Sequence, residues 1–426
     1  MLDLDTALPA RVPPRVTPPL LRGRLREDAR GALADLSARF LRFRSLDARG
    51  ETNDPRDLAV LSGLGGLPLV HMGLESAAPG AGHAELAGHA VEAAVARLGG
   101  APLGVGLSGL AGLGWMLGHL VEASDGTGDD PCAPFDAALE SALAVARWGG
   151  PYDLDGLAGI GIYALGRLAR ASGRRLLAQV VHHLDASARR KAPGLAWSRI
   201  APAGAGEEWN LGVAHGVPGI LGFLGLVAAS AEAGARTRAR ARAMLRGAVP
   251  WLLAQELPAD RAGGFPAVVP ARGASAQPAR LAWCYGDAGI AATLLLAARG
   301  ANEPGWEVAA RRIGLRAAAR SDASAGVVDA NLCHGAAGVA HIFHRLYRAT
   351  ADRRFADAAR HWFGRTLAMR VPGRGFAGFR DYDGSEGGRT RWVTDPGLLG
   401  AGGVALTLVA AVTGAEPAWD RLLLLS

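Results

Sequence analysis

One phrase recurs along this chain: a G-x-x-G step followed at once by an apolar run. It appears as Gly63/Gly66 in "SGLGGLPLV", Gly109/Gly112 in "SGLAGLGWML", Gly156/Gly159 in "DGLAGIGIYAL" and Gly216/Gly219 in "HGVPGILGFL". Three more copies follow: Gly286/Gly289 in "YGDAGIAATLLL", Gly335/Gly338 in "HGAAGVAHIF" and Gly397/Gly400 in "PGLLGAGGVAL". The copies lie about 45–70 residues apart, the spacing of a repeat architecture. Each glycine pair opens a run that is apolar nearly all round, so neither face of the resulting helix can be left to water.

Those runs are therefore expected to form an inner layer of helices. Between them lie amphipathic stretches, such as "HAELAGHAVEAAVARL" and "WEVAARRIGLRAAAR", suited to an outer layer with one wet face. Seven such pairs close most simply as an all-α double-layered barrel, an α/α toroid of helical-hairpin repeats. Glycine at each inner helix start is expected to admit neighbouring backbone and to leave N–H groups facing the mouth of the ring. Only 6% of the residues are aromatic and 60 are glycine, which disfavours a β-rich chain and favours closely packed helices.

Residues 1–30, rich in Pro and Arg, read as an N-terminal arm, and 31–426 as a single toroid domain. Two Gly/Pro-rich insertions, near 258–280 and 371–394, read as long functional loops, each just ahead of a repeat copy. The formal net charge of +7 comes from scattered arginines rather than a basic face interleaved with aromatics, so nucleic acid is not an expected partner. A weak attraction to acidic peptide or an anionic membrane surface fits that charge. No apolar run reads as a transmembrane segment or a secretory core. With three cysteines, an odd count, the expected compartment is the reducing cytoplasm.

Aligned by their glycines, the repeats bring unusual residues into register. Cys284 stands two residues before Gly286, Cys333 and His334 just before Gly335, and His215 just before Gly216. All four should lie where inner helices begin, at one end of the ring. Two thiols and an imidazole make three ligands for one Zn²⁺, leaving the fourth tetrahedral position open, as in catalytic sites. A pair of buried apolar cysteines, a disulfide and a water-activating hydrolase are the competing readings. With two thiolate ligands the ion would favour binding a further thiolate over activating water. His215 is placed to exchange a proton near neutral pH, and Arg280, four residues before Cys284, to hold a carbonyl or carboxylate. Asp153 and Asp155, in "GPYDLDGLAG", reach the same end and could orient His215, or simply cap a helix. Cys132 reads as structural, and His182, His183 and His361 as surface or packing residues.

Together "WCYG", "NLCHGAAG", "HGVPG", "GPYD" with "GLAGIG", and "DPGLLGAGGVAL" resemble the lanthipeptide (lantibiotic) synthetase C family, the LanC-like cyclases, from about residue 35 to the C-terminus. The resemblance implies an α/α toroid with one central zinc ion. It implies a precursor peptide with dehydrated serines and threonines, whose cysteine thiolate adds to dehydroalanine or dehydrobutyrine to give lanthionine or methyllanthionine. Carried over, Cys284, Cys333 and His334 look like the zinc ligands, His215 the acid/base residue and Arg280 its helper; Asp153 is favoured over Asp155 by its "PYD" context. The partners implied are the dehydrated precursor, a separate dehydratase and a peptide exporter, with peripheral membrane association. An enzyme adding glutathione or another small thiol to dehydroamino acids, and a non-catalytic zinc-containing peptide-binding toroid, share the same motifs.

Overall fold

Each glycine step does start a helix, and the turn before it explains why glycine is needed. The computed structural model describes residues 17–43, 58–98, 103–121, 130–200, 206–270, 277–386 and 389–426. The chain opens with α1 (Gly23–Leu41), α2 (Leu67–Ala77), α3 (His83–Arg97) and α4 (Leu110–Val121). It continues with α5 (Ala133–Leu143), α6 (Leu157–Gly166), α7 (Ala171–Ser187), α8 (Val217–Ala229) and α9 (Ala235–Leu253). Then come α10 (Asp287–Ala301), α11 (Pro304–Ala318), the single turn α12 (Asp322–Ala325), α13 (Ala336–Thr350), α14 (Arg353–Ala368) and α15 (Ala401–Thr413).

Helices α4, α6, α8, α10 and α13 begin directly after the first glycine of their pair, whereas α2 and α15 begin after the second. At Gly109, Gly156, Gly216 and Gly286 an added Cβ would land on a carbonyl oxygen five or six residues earlier, because the chain folds back on itself before entering the helix. The expectation that these glycines leave unbonded N–H groups is corrected at four helix starts. The same turn consumes them: Leu110 N–H donates to Gly104 O (2.9 Å), Leu157 to Pro151 O (3.1 Å), Ala336 to Asp329 O (2.9 Å) and Ala401 to Asp395 O (2.8 Å). Close approach between inner helices occurs further along, where Gly225 of α8 meets the Leu296–Ala297 peptide of α10 at 2.5–2.6 Å from a hypothetical Cβ.

Two compact units divide the chain. Unit 1 comprises 1–135, 328–344 and 356–419. In it α15 is buried along nearly its whole length, from Ala401 to Val412. The start of α1 is tied to the end of α15: Leu21 N–H donates to Ala411 O (3.1 Å) and Arg26 Nη2 to Val412 O (2.9 Å). Helix therefore begins at Gly23, inside the stretch read as an arm; residues 1–16 of that stretch lie outside the described residues.

Unit 2 comprises 136–327, 345–355 and 420–426. Here α6 and α8 are buried on every side, while α7 buries one stripe, Gly173, Leu176, Leu177, Val180, Val181 and Leu184. That is the inner and outer contrast written into their sequences. Each fully buried Leu, Ile or Phe of α8 stabilises by about 1.5–3 kcal/mol.

The fold is mostly but not wholly helical. Among the described residues, seven short strands form three antiparallel sheets: β1 (Arg189–Lys191) with β2 (Gly194–Ala196); β3 (Arg199–Ile200), β4 (Glu207–Asn210) and β5 (Val268–Pro270) in that order; and β6 (Asp381–Glu386) with β7 (Arg389–Val393). Both insertions read as loops thus carry strand, β5 in the first and the β6–β7 hairpin in the second. No described helix is long and apolar enough to cross a membrane.

Candidate active site

In unit 2, β4 delivers the chain into the turn that carries His215. Asn210, buried at the strand end, organises it: its Oδ1 accepts from Gly212 N–H (2.7 Å) and its Nδ2 donates to the Tyr285 hydroxyl (3.0 Å). Val213 N–H donates to Cys284 O (2.9 Å), so the turn before α8 and the turn before α10 are joined by main chain as well as side chain. Gly286, at φ +93°, permits the bend that follows Cys284 and Tyr285, a conformation a side chain would strain.

His215 is half exposed, with Nδ1 3.5 Å from Asp153 Oδ2 and 3.9 Å from Asp155 Oδ2. Asp153 is the better placed of the two. Its Oδ1 accepts from Asp155 N–H (3.0 Å), and Leu154 N–H donates to Ala214 O (3.3 Å), which locks the two turns together. The hydrogen bond that His215 donates to Asp153, with the charges of both aspartates, raises the His215 pKa against the lowering effects of burial and of Arg199. Arg280 precedes the same α10 turn; its side chain is exposed and meets no hydrogen-bond or ion-pair partner among the described residues.

In unit 1, the "DANLCH" turn builds a support around His334. Asp329, buried, has Oδ2 3.4 Å from His334 Nε2 and accepts from Tyr382 N–H (2.7 Å) and Asn331 Nδ2 (3.0 Å). Tyr382 O also lies 3.3 Å from Nε2. Asn331 Nδ2 approaches the same nitrogen at 3.1 Å, a donor against two acceptors. The carboxylate and carbonyl outweigh it and favour a proton on Nε2, so that Nδ1 is the nitrogen suited to a ligand role. Asp329, Asn331 and Tyr382 were not singled out from sequence; the signal was there in the "DAN" just ahead of Cys333 and His334.

Beside this support, Asp381 is pushed up to about 7 by burial and by the neighbouring Asp395 and Asp329 carboxylates. None of the three cysteines is in a disulfide: Cys132 and Cys284 are buried, Cys333 half-buried. The Cys132 thiol donates to Gly114 O (3.6 Å), and its backbone N–H donates to Asp130 Oδ1 (3.0 Å). His183 is buried against Leu143 O (3.0 Å), whereas His182 and His361 are exposed.

Among the described residues, Cys284, Cys333 and His334 are one candidate metal-coordinating set and Asp153, Asp155 and His215 another; in the second, which lies within unit 2, the ligand atoms are inside 4.8 Å of one another. Tetrahedral zinc takes sulfur and nitrogen ligands, and the two thiols and the imidazole of the first set are donors of that kind.

Helices entered through glycine turns, with a sulfur-nitrogen ligand set and a His–Asp pair in those turns, define a helical-repeat protein with a candidate metal centre. The chain belongs to the lanthionine synthetase C-like family, whose model, "Lanthionine synthetase C-like protein", matches residues 54–424. Among solved structures it is similar to "Nisin cyclase", with a TM-score of 0.67 at 18% identity over 95% of this chain and 98% of that one. At that identity the likeness establishes the fold, and the repeat-like helix packing is consistent with an α/α toroid. No curated protein sequence matches the chain.

Proposed function

We propose that this protein is a lanthipeptide cyclase. It would add a cysteine thiol of a dehydrated precursor peptide to the β-carbon of a dehydroalanine or dehydrobutyrine in the same peptide, closing a thioether ring. The observation that carries the reading is the Cys284–Cys333–His334 ligand set, in a chain of the LanC-like family. In this reading seven helix pairs close as one toroid domain, C-terminal to an arm, around a single zinc ion held by those three residues. The same reading places the protein in the cytoplasm, with a separate dehydratase and an exporter as partners.

Zinc bound there would supply a fourth position that lowers the pKa of the peptide thiol and keeps it as thiolate. Asp329 holds the His334 ring so that Nδ1 faces its ligand role. Carbon–sulfur bond formation breaks the C=C π bond and leaves the electron pair on the α-carbon and its carbonyl. Arg280, free of other partners, is suited to receive that carbonyl. His215 then delivers a proton to the α-carbon, with Asp153 holding Nδ1 and sustaining the imidazolium until transfer. The thiol proton lost and the carbon proton gained cancel, so the product has the mass of the substrate.

The test is to supply a dehydrated, cysteine-containing peptide with the protein and zinc, and to follow free thiol. Thiol should disappear with no change in peptide mass, and Cys333→Ala should abolish it. Unchanged conversion by that variant would overturn the metal role. Conversion only when glutathione is added, with the matching mass gain, would favour the small-thiol enzyme instead.

A further inference from the structure

The insertion at 371–394 is where the structure offers more than the catalytic reading uses. Its β6–β7 hairpin pairs Tyr382 directly opposite Trp392. The two rings meet edge to face at 5.8 Å, and the Arg380 guanidinium covers the indole at 4.8 Å. Trp392 nevertheless remains 39% exposed, an uncommon state for so large an apolar side chain. Arg380 has no ion-pair partner among the described residues, unlike Arg391, which pairs with Asp383 (3.1 Å). Neither outer edge of the hairpin is paired to another described strand.

The root of this hairpin is fixed to the candidate centre. Tyr382 N–H is bonded to Asp329 and Tyr382 O lies 3.3 Å from His334, while Asp395 N–H donates to Asp381 Oδ2 (3.2 Å). An extended chain advances about 3.3 Å per residue. Tyr382 and Trp392 therefore lie within reach of the residues that flank a peptide cysteine at His334.

We propose that the β6–β7 hairpin is a peptide-docking surface: it takes the extended segment flanking the reacting cysteine, an apolar side chain on Trp392 and a neighbouring carboxylate on Arg380. The proposal rests on the cyclase reading for the identity of the peptide. An exposed aromatic anchor beside an unpaired cation, continuous with the reacting centre, is the arrangement that holds a peptide by one apolar and one charged contact. The outer edge of β7 adds main-chain hydrogen bonds that any sequence can make, whereas that of β6 is already engaged at Tyr382 by Asp329 and His334.

The experiment uses the full chain as wild type, Trp392→Ala, Trp392→Phe and Arg380→Glu, each checked by thermal melting and zinc content. A fluorescent dehydrated peptide with its cysteine replaced by serine reports binding, and the cysteine-containing peptide reports turnover. Trp392→Ala and Arg380→Glu are expected to raise Kd and KM about tenfold with kcat within about twofold, and Trp392→Phe to restore most of the loss. Unchanged Kd and KM in Trp392→Ala overturns the proposal, as does loss of zinc with a fall in kcat alone, which would make the hairpin a structural prop. If wild type binds the peptide but does not cyclise it, the cyclase reading fails while the binding comparison still decides the docking surface. If wild type does not bind it, the docking surface fails as well.

Discussion

His215 and Asp153 face each other across two glycine turns, Nδ1 to Oδ2 at 3.5 Å, with Asp155 a little further at 3.9 Å. The pairing raises the His215 pKa, so the imidazolium persists to a higher pH than for an isolated histidine. If His215 is the proton donor, the alkaline limb of the rate profile reports its pKa. Asp153→Asn removes the charge and should move that limb to lower pH, with a loss of about 10²–10⁴-fold in rate at pH 8. The same raised pKa makes its stability contribution full below about pH 6.5 and lost as pH rises through the folded value. A pH–rate series on wild type and variant checks both; an unmoved limb would exclude His215 as the donor.

Asp329 is expected to matter to the metal without touching it. It is buried, bonded to Tyr382 N–H and Asn331, and 3.4 Å from His334 Nε2. Asp329→Asn should weaken zinc by about 10–100-fold, as loss of a supporting carboxylate does. Competition with a chromogenic chelator measures this, and equal affinity would show that the ring is oriented by other contacts.

Asp287 ties the first insertion down. Its carboxylate accepts from Gly264 and Phe265 N–H at 2.9–3.1 Å and lies 3.5 Å from Arg320, all nearly buried. Asp287→Ala leaves two N–H groups without their acceptor and the Arg320 guanidinium without its counter-charge, with only the carbonyls of Ala279 and Ser324 remaining to it, a cost of about 3–5 kcal/mol. Urea unfolding should show that loss; a midpoint unchanged from wild type would contradict it.

The His71–His83 pair predicts an acid-sensitive fold. Their Nδ1 atoms lie 2.9 Å apart, Ser37 Oγ reaches His83 Nε2 at 2.7 Å, and burial with the neighbouring His83 lowers the His71 pKa to about 4. A base depressed in the folded state stabilises fully above its unfolded pKa near 6.5, and the contribution falls away as pH drops toward 4. The full loss is about 3 kcal/mol for a shift of this size. Thermal melts from pH 7.5 to 4.5 should show it, and His71→Phe, which keeps the edge-on contact with Phe40, should flatten the curve.

The glycine register was legible because it encodes something local. A turn that places its own carbonyl where a Cβ would stand admits only glycine at Gly109 or Gly216, whatever surrounds it. The alternation of wholly apolar α8 with one-sided α7 was legible for the same reason, since burial repeats with helical period. What escaped depends on partners distant in sequence. Tyr382 reaches Asp329 across 53 positions, and nothing in "RDYDGSE" announces a strand, because its side chains are polar and its pairing is supplied by "RTRWV". Asp153 and Asp155 could not be ranked by spacing alone. Their order toward His215 follows from the turn in which Asp155 N–H is bonded to Asp153 Oδ1.

The account depends most on the metal. Elemental analysis of the purified protein, beside Cys284→Ala and Cys333→Ala, measures it directly. One zinc per chain in wild type and a large deficit in both variants is the expected result. A metal-free wild type that still closes thioether rings, or variants that keep a full equivalent of zinc, would contradict the assignment of those side chains.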